Sequence, residues 1–324
     1  MLLSVDEING GMGEAKHVSV LLDASMDYLR PEQGGIFLDG TFGGGGHTRA
    51  ILERASDVIV VAIDQDPEAE KRAELFQKEF GERFKFYAMN FSELDRVEEG
   101  DFDGVLFDFG LSSFQLDSEE RGFSFRFNAP LDMRMNNREG ITASEFLETA
   151  SESELIEAVR DFGEERSWRK VVGAILKARG TGVLSETKSF AQLIEETIPS
   201  KGFKSSKGFK PSKIHPATKT FQGVRIAINK ELDSIRIALE SAFRRLKSGG
   251  VLVAISFHSL EDRIVKRFFR KLAGRPEHRN DGQFSDERAV LGKMIATKAV
   301  QASESEINQN PRSRSARMRG VQKL

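Results

Sequence analysis

The sequence predicts an α/β fold, a doubly wound parallel sheet interrupted by a helical insertion. Three observations point there. Short apolar runs alternate with helical patterns from Ile36 to Gly110, and a glycine cluster follows the first run. A further apolar run of the same kind, "VLVAISF" (251–257), arrives only after a long helical stretch. At 324 residues the chain exceeds what one compact core usually organises, which favours a large domain carrying an insertion, or two domains.

Each element has its own signal. "IFLD" (36–39) reads as a buried strand, and the glycine loop and a helix through "HTRAILERA" follow it. "VIVVAID" (58–64), the charged helix "PEAEKRAELFQKEF" and "FKFYAMN" (84–90) continue the alternation, and "FDGVLFDFG" (102–110) is a fourth strand. This order requires right-handed crossovers. From about 113 to 213 the pattern turns helical. "SESELIEAVRDF" opens with Ser151 and Glu154 at capping-box spacing, and "SWRKVVGAILKA" and "SFAQLIEETI" are amphipathic. One long helix is then expected, with Val224, Ile228, Leu232, Ile235, Leu239, Phe243 and Leu246 in a single stripe, ending at a left-handed glycine in "KSGG". The lysine-rich "KGFKSSKGFKPSK" (201–213) and the tail "NPRSRSARMRGVQKL" read as unstructured basic segments that could grip phosphates.

Composition narrows the function classes. Charged residues make up 30% and the net charge is −2, so nucleic-acid binding must come from local patches. Cysteine is absent, which removes disulfides, thiolate nucleophiles and cysteine-bound metals. The histidines lack paired metal-site spacing, and no metal is expected. "MLLSVDEINGG" does not resemble a signal peptide and no apolar run is long enough to span a bilayer, so a cytoplasmic protein without a membrane partner is expected.

The stretch "LDGTFGGGGHT" (38–48) lies between a strand and its helix, where backbone N–H groups approach a ligand only if no Cβ intervenes. A phosphate loop would place lysine before Ser or Thr, but Gly46 and His47 stand there, and dinucleotide G-x-G-x-x-G spacing fits poorly. Asp64 ends the second strand, where a carboxylate can accept from vicinal ribose hydroxyls. Asp39 ends the first, suited to a cationic amino group or to ordering the loop. Phe91, just past the third, suits an adenine face, and Asp108 ends the fourth. Carboxylates at three strand ends without a phosphate cation suit S-adenosylmethionine. Gly45 and Gly46, with His47 beside them, are expected to approach it directly, and Gly44 to tolerate a side chain. The "DFG" at 108–110 lacks the other protein-kinase motifs.

"HVSVLLDA", "DGTFGGGGHT", "AIDQDP", "LSSFQLDSEERGFSFRFNAPLDMRM", "GEERSWRKV", "HPATKTFQGVRIAINKEL", "ISFHSLEDRIVKRFF" and "NPRSRSARMR" together resemble the bacterial small-subunit ribosomal RNA cytosine-N4 methyltransferases (RsmH or MraW) from about His17 to Arg319. The resemblance implies a Rossmann-like S-adenosylmethionine-dependent methyltransferase sheet with an inserted helical domain. Its parts would be 1–112, a substrate-recognition insertion over 113–213, and 214–324 with a basic tail. It implies methylation of the exocyclic amine of a decoding-centre cytidine in 16S ribosomal RNA. Motif by motif, the cofactor contacts carry over to Gly45, Gly46, His47, Asp64, Phe91, Asp108 and Gln115. Gly44, Phe109 and Phe114 depart from the common pattern, and the lysine-rich loop looks enlarged.

The amine lone pair is delocalised into the ring, so a group accepting from its N–H should help, and Asp108 is the expected acceptor. Pyrimidine C5 methylation by the usual route needs a cysteine, which this chain lacks. Arg263, Lys266, Arg267 and Arg270 share one helix face and are expected to track RNA phosphates. His258 and Ser259 are expected at the target pocket, and Phe123, Phe125 and Phe127 either stack on the base or fill a core. Two other readings compete: an amine methyltransferase acting on another nucleic acid, and a noncatalytic S-adenosylmethionine-binding ribosome assembly factor. An NAD-linked oxidoreductase fails on glycine spacing. The expected partner is 16S ribosomal RNA within the small subunit, and a homodimer is allowed.

Overall fold

The computed structural model describes residues 19–198, 203–205, 208–210, 215–278, 281 and 288–324. His17 and parts of the 201–213 segment lie outside them. Helix α1 (Leu22–Leu29) leads into β1 (Gly35–Asp39), α2 (Gly46–Leu52), β2 (Val58–Asp64), α3 (Pro67–Phe80), β3 (Phe84–Ala88) and β4 (Phe102–Asp108). These strands run parallel, and their central residues face protein on both sides. Phe37, Phe84, Phe102 and Phe107 are fully buried, and each contributes about 1.5–3 kcal/mol relative to exposure.

Helices α4 (Ser113–Asp117), α5 (Ala143–Thr149) and α6 (Glu152–Ile156) follow, the last running into a π-turn over Glu157–Phe162. Ser151 and Glu154 close the capping box read from sequence. With α7 (Trp168–Ala178) and α8 (Thr187–Thr197) these elements enclose a second core around Leu147, Leu155, Val171, Ile175 and Phe190. That core also takes in Ala217, Phe221 and Val224, past the boundary at 213 read from sequence. Phe123 and Phe125 pack into it, so core packing accounts for them, while Phe127 is exposed.

Three expectations are corrected. The long helix is two helices, α9 (Ala217–Asn229) and α10 (Glu231–Arg244), broken at Lys230 in a left-handed conformation. The stripe serves two cores, since Val224 faces the helical one and Leu232, Ile235 and Leu239 face the sheet. A straight rod could not turn its apolar face from one to the other. "KSGG" lies within β7 (Leu246–Ser256), after the helix has ended. β5 (Phe203–Ser205) and β6 (Gly208–Lys210) form an antiparallel pair inside the lysine-rich 201–213 segment read as unstructured.

The sheet itself is mixed. After β7 come α11 (Ser259–Leu272), β8 (Gly292–Met294), α12 (Glu304–Gln309) and β9 (Arg317–Lys323), and the order is β3-β2-β1-β4-β7-β9-β8. β9 runs antiparallel to β7 and β8. The end of the tail read as unstructured is therefore a sheet strand, because Met318 and Val321, three positions apart, bury on opposite faces of the sheet, a pattern without alternation among four arginines. Strand order reverses between β1 and β4, which opens a crevice at their carboxyl ends.

Candidate cofactor and substrate cavity

A cavity of about 490 Å³ fills that crevice and continues beneath α9 and α11, within the range of small-molecule sites. Its floor is made by the strand ends. Asp64 takes the N–H of Gly43 on Oδ2 at 2.7 Å and of Asp66 on Oδ1 at 2.9 Å. Burial pushes its pKa up to about 6, with the nearby Asp66 charge adding to the rise against these two hydrogen bonds. Asp108 is held to the glycine loop by its own N–H, which donates to Thr41 Oγ1 at 2.6 Å. Burial, and then the charges of Asp39 and Glu261, raise its carboxyl well above the ordinary value. Its Oδ1 is buried without a hydrogen-bond partner, and Oδ2 lies 3.9 Å from His47 Nδ1. His47 is anchored through Nε2 to the Val20 carbonyl at 3.1 Å.

Phe91 packs against Phe107 and Phe109, centroids 5.8 and 5.7 Å away, and offers an aromatic wall. Gln115 lines the cavity, yet its carbonyl accepts from Ser112 N–H and its amide donates to Asp66 Oδ2. Asp66 is a buried hub, since Arg121 also donates to both its oxygens and reaches the Arg134 and Met135 carbonyls. The hub ties the end of β2 to the helical region. Sequence reading missed it because its members lie up to 69 positions apart, from 66 to 135.

The glycines divide differently from expectation. Gly45, with φ +78°, turns away from the cavity: its N–H bonds to the Phe42 carbonyl, and a Cβ would fall 2.4 Å from the Phe76 ring. It is glycine for packing and conformation. Gly44 lines the cavity, and its Cβ would meet the Phe114 ring at 2.6 Å, so the side chain it is expected to tolerate fits once that half-exposed ring moves. Gly46 does line the cavity. Asp39 does not: Thr48 Oγ1 and Thr41 N–H occupy its two oxygens, at 2.7 and 3.1 Å, so it orders the loop.

The far wall comes from α9 and α11. Thr218, Gln222 and Arg225 face the cavity beside His258 and Glu261. Glu261 is fully buried and takes the Phe257 and His258 N–H groups on Oε2, at 2.7 and 3.2 Å. Burial alone would raise its carboxyl; His258, whose Nε2 lies 3.0 Å from Oε1 though off the hydrogen-bond direction, and Arg225 hold it below the ordinary value. Glu231, His258 and Glu261 bring ligand atoms within 4.8 Å of one another. Arg225 already donates to both Glu231 oxygens, at 2.7 and 2.9 Å, so a guanidinium supplies the positive charge there. Arg225 was legible only as a cation interrupting the apolar "VRIAI".

The basic face of α11 is partly engaged. Ser259 donates to Glu164 at 2.6 Å and Arg263 lies 3.3 Å from the same carboxylate; Ser259 does not line the cavity, whereas His258 does. Arg270 donates to the Pro276 carbonyl, while Lys266 and Arg267 are exposed. Lys266 borders a shallow depression with Lys298, Arg317 and Arg319. Arg319 is no phosphate ligand, being buried against Asp262 at 2.8 Å.

The donor set fits a nucleoside cofactor without phosphate. Carboxylates and an aromatic wall line the near side, and the lining cations Arg225 and Arg312 are both ion-paired. Among the described residues no helix is long and apolar enough to cross a membrane.

The chain was compared with known families, proteins and solved structures. The profile of the MraW methylase family matches residues 14–324. The Ribosomal RNA small subunit methyltransferase H of Syntrophotalea carbinolica is 42% identical over 321 residues, covering 95% of this chain and 98% of that protein. Those of Geotalea uraniireducens (42% over 319 residues, 97% and 100% covered) and Rickettsia africae (41% over 313 residues, 95% and 98% covered) are similarly close. A solved rRNA methylase from Streptococcus thermophilus is 10% identical, with a TM-score of 0.43 over 95% of this chain and 99% of that one.

Proposed function

The chain belongs to the MraW methylase family, and from that premise we propose that it methylates the N4 amine of a cytidine in the decoding centre of 16S ribosomal RNA. The near-complete match to proteins named for small-subunit ribosomal RNA methylation supports the RNA class. The methyl donor is S-adenosylmethionine, which when bound supplies an electrophilic methyl group on a sulfonium. Asp64 would accept from its ribose hydroxyls, Phe91 would face its adenine, and Gly46 and His47 would line its path over α2.

Asp108 carries the chemistry. The single observation behind this assignment is its buried Oδ1, which lacks a hydrogen-bond partner where the glycine-loop wall meets the α9–α11 wall. A carboxylate there accepts from the target N–H and takes the proton that the amine sheds as it gains a methyl group. Its raised pKa makes it a stronger base than an exposed aspartate, so turnover should climb as pH rises through that pKa and flatten above it. Lys266 and Arg267, with Arg263 and Arg270 behind them, would contact RNA phosphates, and His258 would face the target base. The expected compartment is the cytoplasm.

Incubation with small ribosomal subunits and labelled cofactor, followed by nucleoside mass spectrometry, tests this reading. N4-methylcytidine is expected. Methylation of ribose, or none from an active cofactor-bound protein, overturns it.

A further inference from the structure

The C-terminal segment does more than complete the sheet. Between α12 and β9 a short 3₁₀ turn, Pro311–Ser315, crosses the top of the cavity, and Asn310, Arg312 and Ser315 line it. The turn is fixed from within. Ser313 is fully buried and donates to the Asn310 carbonyl at 2.7 Å, and Asn310 Oδ1 caps Arg312 N–H at 3.2 Å. Arg312 then reaches over the rim to Asp117, the last residue of α4, with Nη2 to Oδ1 at 2.6 Å. The two residues are 195 positions apart, so the bridge ties the C-terminal turn to the end of α4, whose Ser113–Leu116 line the cavity.

Asp117 is a weak partner. Its side chain is 66% exposed, against 35% for Arg312, and an exposed ion pair contributes only about 0–1 kcal/mol. A phosphodiester presents the same anionic oxygens to a guanidinium and accepts it in two-point geometry. Arg314, two positions on, is exposed with no ion pair among the described residues, and could add a second contact along the same strand.

We propose that Arg312 is a phosphate-binding residue at the cavity mouth, holding the backbone of the RNA nucleotide whose base enters below, with Asp117 as the anion it surrenders. This rests on the RNA-methylation reading above. Its anionic ligand is an RNA phosphodiester; the carboxylate of the cofactor is the competing source.

The test uses the full-length protein, small ribosomal subunits or a substrate RNA, and two variants. Arg312→Gln should weaken RNA binding roughly 10- to 100-fold. It should also lower the slope of log affinity against log salt by about one ion, with S-adenosylhomocysteine affinity unchanged. Asp117→Asn should leave RNA binding equal or tighter, because it removes the competing anion. Opposite responses of the two partners are what a purely structural bridge cannot produce. Equal losses in both variants, an unchanged Arg312→Gln, or a loss of cofactor affinity in place of RNA affinity would each overturn the proposal. Should Arg312→Gln unfold, Asp117→Asn decides alone, weaker RNA binding counting against the site. A wild-type protein that binds cofactor but neither binds nor methylates RNA would instead sink the underlying reading.

Discussion

The two walls of the cavity are built in opposite ways. The near wall, from Gly40 to Asp64, is assembled from residues close in sequence, and the hydrogen bonds that hold it run between neighbouring strand ends and one loop. The far wall joins α9, α11 and the C-terminal turn, with Arg225 bound to Glu231 and Glu261 beside His258. The strand ends hold carboxylates raised by burial, whereas Glu261 on the far wall is held low by His258 and Arg225. Environments that push acids apart in this way mark which one can take up a proton. Asp108, at the seam, is placed to do so.

Breaking the seam should have the largest effect. Asp108→Asn is expected to cut turnover about 10²- to 10⁴-fold while S-adenosylhomocysteine affinity, measured by calorimetry, stays within a few-fold. Unchanged turnover would make Asp108 a cofactor contact only.

On the near wall, Asp64→Asn should weaken cofactor binding roughly 10- to 100-fold. The same carboxyl predicts a pH dependence. Its folded pKa of about 6 lies above the ordinary 3.8, so the ionised form strains the empty protein above pH 6, and that strain disappears as pH falls. On the proposal that Asp64 accepts from the ribose hydroxyls, cofactor binding needs the ionised form. Affinity should therefore be full above about pH 6 and fall by up to about tenfold per pH unit below it. In Asp64→Asn this component should vanish, and a titration as steep as wild type would clear Asp64 of the role.

The glycines sharpen the comparison with smaller effects. Gly45→Ala should cost roughly 2 kcal/mol or more in stability, through its left-handed φ and the Phe76 contact, read as a lower Tm. Gly44→Ala should leave Tm near wild type, because half-exposed Phe114 can swing aside, and change cofactor affinity only a few-fold. The reverse pattern would mean that Gly45, not Gly44, faces the ligand.

Much of the near wall was legible in the sequence. The glycine loop, Asp64, Phe91 and Asp108 stand at strand ends that hydrophobic alternation locates, and a strand end in such a sheet points into the crevice. Less legible was what each group does there. Asp39 and Gly45 carry the same local signal as Asp64 and Gly46, and only their partners, Thr48 and Phe76, turn them away. The far wall was hardly legible, because Arg225 and Glu231 lie on one expected helix that in fact breaks at Lys230. The tail misled for a similar reason: arginines dominate its composition, yet Arg319 is satisfied by a buried aspartate that no spacing announces.

The sequence by itself determined the parallel βαβ half of the sheet, the glycine loop, the absence of thiol chemistry and the family. Local periodicity, turn chemistry and composition are sufficient for the first three, and the family rests on the resemblance of whole motifs. Only the tertiary structure decided which glycine meets the cavity, that the tail closes the sheet as an antiparallel strand, and that Arg312 reaches Asp117 across the mouth. Each of those depends on contacts between segments far apart in the chain, and short-range pattern carries no information about which distant partner will satisfy a buried charge or cover an aromatic ring.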